Sequence, residues 1–343
     1  MSMRQSILQN IRDDIVHTLR WPIRVAEDVQ KTIIGLREGR VTYRDVATTA
    51  LASLSALVFV VLLMFPVYWV INSSIAAGTP AANLYSQGIF ASPAEWNLES
   101  YGWLWGESDF FFEDGYPGGG AGFGEIWNAF LASNLANSLR LSIPTVVFSF
   151  LLIVPGAYTL SRHEFTGRKP LLYGYVMLTQ VGGGLNIAAL IALYVVFNAA
   201  GLTNSHLALA MFYAAGAVPF NTWLLKTFMD NIPESYTEAA LVDGASRRRI
   251  VWEVILPLTK PGLAVVLIFT FLAGWNEFIV AQLMLSADSH PLSVGLYSLV
   301  DERATPWSQF AAYALTYATP VALIYFFSQR YVESGLSFGG MEG

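Results

Sequence analysis

Long apolar runs alternate with short polar stretches along this chain, and the runs have the length of membrane crossings. Six of them, 49–72, 134–160, 170–198, 206–227, 260–283 and 308–331, reach the roughly 20 helical residues that cross a hydrocarbon core of about 30 Å. The pattern predicts an all-α polytopic membrane protein with six transmembrane helices. The first run is the cleanest, with no charge from Leu51 to Trp69. It follows a polar stretch, 1–48, and is too long for the h-region of a signal peptide. The third is interrupted by Gly182-Gly183-Gly184, which either breaks the helix or lets a neighbour approach closely.

The polar remainder sets the domain organisation. Residues 1–48 form a leader, 49–72 the first span and 73–133 a long loop. Residues 134–331 form the membrane core, with a polar loop at 229–258, and 332–343 a tail. In the leader Ile7, Ile11, Ile15 and Leu19 recur every four residues, with Arg12, Asp13 and Asp14 on other faces. Such an amphipathic helix lies in the bilayer interface as an elbow before the first span, or packs on a soluble partner. A second patch at Val29, Ile33 and Ile34 fits either.

Composition agrees with lipid as the solvent. The chain is 54% hydrophobic and 13% charged, against about 25% charged in soluble domains. It contains no cysteine, which removes disulfides, thiolate metal sites and thiol nucleophiles. His17, His163, His206 and His290 stand singly with no metal-ligand spacing, so no metal and no cofactor is expected. No Ser/His/Asp constellation marks a membrane enzyme.

Charge placement predicts orientation, because cytoplasmic loops carry the Lys and Arg excess. The leader holds Arg4, Arg12, Arg20, Arg24, Lys31, Arg37, Arg40 and Arg44. Arg162, Arg168 and Lys169 follow the second run; Lys226, Arg247, Arg248, Arg249 and Lys260 lie between the fourth and fifth runs or at their facing ends; and Arg330 ends the sixth run. The loop 73–133 has neither Lys nor Arg but carries Glu95, Glu99, Glu107, Asp109, Glu113, Asp114 and Glu125. Arg140 and Arg303 fall on its side. Both termini and the 229–258 loop are therefore expected in the cytoplasm of a plasma-membrane protein, with 73–133 outside.

That external loop is rich in glycine, aromatics and acids, as in Asp109-Phe110-Phe111-Phe112-Glu113-Asp114 and the glycines from Gly115 to Gly124. Asp109, Glu113 and Asp114 are oxygen ligands suited to calcium, but no EF-hand spacing appears. The segment reads instead as a partly ordered cap whose aromatics meet headgroups or an external partner.

The polar loop carries the most information. Asn231-Ile232-Pro233 stops the preceding helix, and Glu234 and Glu238 put negative charge near the next helix N-terminus, where the dipole favours it. Ala239 and Ala240 keep one face small. Asp243-Gly244 breaks the helix, since glycine accepts positive φ. A second helix carries Arg247 to Arg249 with Ile250, Val251, Val254 and Ile255, and Pro257 and Pro261 punctuate the entry to the fifth run. Composition alone equally fits an ordinary interfacial loop with positive-inside arginines.

The order Glu238-Ala239-Ala240, then Gly244, then Leu256-Pro257 resembles the EAA signature of permease subunits of binding-protein-dependent ABC importers. Val254 replaces the usual isoleucine. The likeness runs from about residue 134 to the C-terminus, and Trp275-Asn276-Glu277-Phe278 and the tail Gly335-Leu336-Ser337-Phe338-Gly339-Gly340 resemble the maltose-type carbohydrate subgroup. The leader and the acidic loop exceed the family pattern. The resemblance implies the type I ABC importer permease fold. It also implies that Glu238, Ala239, Ala240, Asp243, Gly244, Ala245, Leu256 and Pro257 form a coupling element docked on a cytosolic ABC ATPase dimer, and that Gly339 and Gly340 are tail contacts to that dimer. A second permease subunit, an external substrate-binding protein, the lipid bilayer and a sugar complete the implied partners; no nucleic acid is expected. The chain lacks Gly-x-x-x-x-Gly-Lys-[Ser/Thr], so it is not itself the motor.

Polar residues inside the apolar runs are the remaining candidates. Glu277 lies about 24 Å along a helix from Pro261, at about 1.5 Å per residue. An intramembrane acid reads as pathway lining, or as a structural pair with Arg140. Asn276, Gln180, Asn186 and Asn221 are suited to sugar hydroxyls or to linking helices. Tyr175, Tyr194, Tyr213, Trp223 and Trp275 are suited to stacking on sugar faces, or to belt and core. The expected function is ATP-driven import of a maltose- or trehalose-like oligosaccharide or a monosaccharide. A glycerol-3-phosphate-type permease is the nearest alternative, with few basic residues to favour it. An ion-coupled secondary transporter would need more carboxylates than Glu277 and an internal repeat, which the sequence does not show.

Overall fold

The computed structural model describes residues 42–75, 96–182, 187–300 and 305–338. These residues are helices and connections, with no strand among them. The chain divides into two units at Tyr68/Trp69. The first holds most of α1 (Tyr43–Ile75), a helix of 33 residues whose apolar side chains from Leu51 to Phe65 are exposed. That is the pattern of a helix solvated by lipid.

In the second unit two short helices, α2 (Glu99–Gly106) and α3 (Phe123–Ala132), bracket an aromatic loop. The long α4 (Asn134–Arg162) follows, then α5 (Arg168–Gly182) and α6 (Ile187–Ala199). Next come α7 (His206–Asp230), α8 (Ser235–Val242), α9 (Arg247–Leu258) and α10 (Lys260–Trp275). Two short helices, α11 (Ile279–Met284) and α12 (Leu292–Ser298), precede α13 (Trp307–Phe338).

Among the described residues α1, α4, α7 and α13 are each long and apolar enough to cross a membrane. They coincide with the first, second, fourth and sixth apolar runs. The third run contains α5 and α6, and residues 183–186 between them lie outside the described residues. The fifth run differs from a single crossing. The fifth was expected as one helix over 260–283, but α10 stops at Trp275 and the chain resumes as α11. Its preceding partner α9 is bent 85° from it.

Helices α4, α7 and α10 form the centre. Small residues let them approach: at Gly274 of α10 an added Cβ would lie 2.8 Å from the Ser142 Cα of α4. The facing stripe of α4, Ser138, Ser142, Thr145 and Ser149, is fully buried. Two of these hydroxyls turn back on their own helix, Ser142 to the Ser138 carbonyl at 2.8 Å and Thr145 to the Leu141 carbonyl at 2.7 Å. Close backbone packing with hydroxyls turned onto their own helix is how helices associate where lipid removes the hydrophobic drive, though the buried Ser149 hydroxyl has no partner among the described residues.

Among the described residues the apolar core falls into three clusters. One joins Ile153 and Ala157 of α4 to Leu225 and Met229 of α7 and Ile250 and Ile255 of α9. A second gathers Leu141, Leu209, Val280 and Met284. The third joins Leu104 and Phe110 to Phe271, Trp275, Leu292 and Tyr313. Phe110 meets Tyr313 edge-on at 4.7 Å, so the aromatic loop is seated on α13 rather than free. The Asp109 carboxylate accepts the Asp114 N–H at 2.9 Å, closing that loop on itself.

Candidate functional site

Helix α7 ends at Asp230, and its last carbonyls are claimed from outside. The Arg162 guanidinium donates to the carbonyls of Met229 at 2.9 Å and Ile232 at 2.6 Å. A cation at this place also complements the helix dipole. Ser161 donates to Asp230 at 2.7 Å, and Lys226 pairs with the same carboxylate. The end of α4 thus fixes the point from which the polar loop departs.

Helix α8 then runs from Ser235 to Val242, with Glu238 in its first turn. It ends in a Schellman motif. Gly244 takes φ +77°, its N–H bonds the Leu241 carbonyl at 3.0 Å, and the Ala245 N–H bonds the Ala240 carbonyl at 2.9 Å. The expected break at Asp243-Gly244 therefore has a specific geometry. Ser246 caps the following helix by accepting the Arg249 N–H.

The loop has two unlike faces. Ala240, Ala245, Val251 and Val254 pack on the cluster formed by α4, α7 and α9, with Ile250 and Ile255 wholly buried. Glu238, Ala239, Asp243 and Gly244 are exposed. So are Tyr236, Leu241, Val242 and Trp252, with Val242 87% exposed. These four large apolar residues did not stand out in the sequence. Their signal was available, since four large apolar side chains in a loop with this much charge need cover from somewhere.

Leu256 and Pro257 serve the bend. Residues Ile250–Ile255 form a π-type turn in which the Leu256 N–H reaches back to the Val251 carbonyl. This wider turn accommodates Pro257, whose ring would otherwise press on the carbonyl of the preceding turn. Leu256 is buried and Pro257 exposed. The 85° bend follows at Thr259, whose hydroxyl donates to the Ile255 carbonyl at 2.6 Å. The exposed Arg249–Glu253 pair, at 2.7 Å, raises the arginine's affinity for its proton and adds little to stability.

The pathway candidates separate. Trp275, fully buried, closes α10, and Asn276 and Glu277 lie beyond its end. Glu277 was expected within a span; it stands in the break before α11, where its carboxylate accepts the Val280 N–H at 2.7 Å. Its pairing with Arg140 is not formed. Arg140 donates to Asn137 at 2.9 Å, and among the described residues no ion pair joins the two. Asn276 meets the Tyr317 hydroxyl at 3.0 Å. Asn221 lies apart on α7, its amide donating to the Ala217 carbonyl at 2.8 Å while its buried oxygen has no partner among the described residues. Tyr194 and Trp223 are largely exposed, as for belt residues. Gln180 lies on α5 with its side chain outside the described set, as are Asn186, Gly339, Gly340 and the leader helix expected before residue 42.

The family model for the binding-protein-dependent transport system inner membrane component matches residues 127–338. The chain belongs to that family. It is a multi-pass membrane transport component, not an enzyme, and the match starts close to residue 134, where the motif resemblance began. Family membership sets aside the ion-coupled secondary transporter. The galactooligosaccharides transport system permease protein GanQ of Bacillus subtilis is 39% identical over 209 residues, 60% of this chain and 73% of GanQ. The maltodextrin permease protein MdxG of the same organism is 33% identical over 213 residues, covering 61% and 74%. The maltose/maltodextrin permease protein MalG of Salmonella typhimurium is 32% identical over 216 residues, covering 61% and 72%. The fold is similar to a crystal structure of a bacterial ABC transporter involved in the import of the acidic polysaccharide alginate. That likeness has TM-score 0.66 and 22% identity, and covers 85% of this permease and 98% of the other chain.

Proposed function

We propose that this permease is a membrane subunit of an ATP-driven sugar importer, and that the 229–258 loop receives the stroke of a separate ATPase dimer. The observation that carries the reading is the loop's two-faced build. Its inner face is locked into the α4–α7 cluster, while Glu238, Val242 and the Gly244 reversal stand exposed on the other side. An element held this firmly moves as a body with the helices it packs on. Nucleotide-driven closure of a docked ATPase then shifts the population of inward- and outward-open states.

The lack of Lys and Arg in 73–133, against the arginines of the leader and of 247–249, supports cytoplasmic termini and a cytoplasmic loop. The names of the relatives support a sugar: galactooligosaccharides, maltodextrin and maltose. A second permease subunit and an external binding protein complete the assembly.

The test is reconstitution with the co-purified ATPase and binding protein. Gly244→Ala forces a left-handed backbone on a residue that resists it by about 1–2 kcal/mol. Substrate-stimulated ATPase and uptake are expected to fall together, by about 5- to 30-fold for that energy. Val242→Asp, which alters the exposed face without touching the turn, is expected to do the same. Wild-type stimulation and uptake in both variants would sink the coupling role.

A further inference from the structure

Helix α3, Phe123–Ala132, has an apolar face that nothing among the described residues covers. No residue of this helix is fully buried. Ile126, Ala129 and Phe130 are half-buried toward the rest of the chain, while Phe123 is 82% and Trp127 49% exposed. Phe123 and Trp127 stand one turn apart, with rings nearly parallel at 9° and centroids 6.4 Å apart. Trp127 adjoins Phe130 at 5.6 Å, and the exposed Glu125 and Asn128 lie on the far side of the helix. A helix with one face on protein and another open has room for a second apolar contact.

Connectivity says where that face lies. Ser133 both ends α3 and caps α4, accepting the Ala136 N–H at 3.2 Å, so no linker separates the two. Helix α4 is a membrane-crossing helix, and Ile143, Val147 and Leu151, each about one turn from the next, are all more than half exposed. Residue 127 is thus seven positions from the start of a span, at the depth where aromatic side chains collect. We infer that α3 lies in the membrane interface at the Asn134 end of α4, with Phe123 and Trp127 inserted among lipid headgroups and upper acyl chains as a second anchor for that span. A short acidic helix of this kind is held by its aromatics, since Glu125 gains nothing from anionic lipid.

The absence of cysteine makes the test clean. Trp127→Cys, Phe123→Cys and Asn128→Cys are made one at a time in the full-length chain, purified with its transport partners. Each carries an environment-sensitive fluorophore in nanodiscs of phosphatidylcholine with or without brominated acyl chains. The labels at 127 and 123 are expected to emit to the blue of the label at 128, and to be quenched roughly twofold or more relative to it. Equal emission and equal quenching at all three positions overturns the inference. So does a blue shift at 127 that arises only on adding the binding protein, which would assign the face to a protein partner. If one cysteine variant fails to assemble, the other of the 123/127 pair decides on the same comparison.

Discussion

Trp275 and Tyr317 hold each other by exchange. The indole Nε1 donates to the Tyr317 carbonyl at 3.2 Å, and the Tyr317 hydroxyl lies 3.0 Å from the Trp275 carbonyl. Their rings stack at 5.7 Å and 16°, and Phe271 continues the stack at 5.2 Å from Trp275. Trp275 is the last residue of α10, so its carbonyl has no successor in the helix to bond it. The hydroxyl from α13 fills that place, and with the indole it ties the end of α10 to the body of α13 in one joint.

This joint makes a stability prediction. Trp275→Ala removes the largest fully buried side chain among the described residues and is expected to cost about 3–5 kcal/mol. Tyr317→Phe keeps the stack and removes only the hydroxyl, for about 0.5–1.5 kcal/mol. Thermal unfolding in detergent should rank them in that order. A reversed order would mean that the hydroxyl, not the packing, holds the joint.

The glycines of the central helices give a second prediction. A Cβ at Gly274 would meet the Ser142 backbone at 2.8 Å, which cannot turn aside, whereas one at Gly156 would meet only the Thr222 methyl at 3.4 Å. Gly274→Ala is therefore expected to destabilise by about 1–3 kcal/mol through overpacking. Gly156→Ala should be close to neutral or slightly stabilising, since alanine suits a helix better than glycine. Melting temperatures of the two variants check the contrast.

Much of this was legible in the sequence, and the departures have physical causes. Four apolar runs became single helices despite the internal prolines Pro66, Pro144, Pro155, Pro219 and Pro320, because each run is long and apolar enough to carry the helix past them. The Asp243-Gly244 break was legible because an αL cap demands glycine. The end of α10 at Trp275 was not, because Trp275-Asn276-Glu277-Phe278 holds neither glycine nor proline. What stands at that break is one tertiary contact, the α13 hydroxyl at the Trp275 carbonyl, and one local cap, the Glu277 carboxylate on the next helix start. Hydropathy reads through such a break, since both flanks are apolar. The exposed Tyr236, Leu241 and Val242 were missed for the opposite reason: a few apolar residues in a polar loop carry no period, and only their need for cover marks them.

Arg162 makes a third prediction, about the loop's footing. Its two bonds to the Met229 and Ile232 carbonyls fasten the end of α7. Arg162→Ala is expected to cost about 1.5–3 kcal/mol, the range for hydrogen bonds to a charged group. Hydrogen exchange should quicken across 229–245 while α10 remains as protected as before. Arg162→Lys should recover only part of the protection, since one ammonium replaces a planar fork. Uniform loss of protection over the whole chain would mean that Arg162 supports the bundle rather than the loop.

Glu277 separates a capping role from a charge role. Its carboxylate accepts the Val280 N–H, so it acts as the cap of α11, a helix of six residues with little else to start it. Glu277→Gln keeps an acceptor oxygen in place and loses the charge; Glu277→Ala loses both. If capping is its task, Gln should hold stability near wild type, while Ala loses about 0.5–2 kcal/mol with faster exchange over 279–284. If charge is its task, Gln and Ala should be equally impaired in transport. Measuring stability and uptake on both variants decides between them, and the Val280 bond argues for the first outcome.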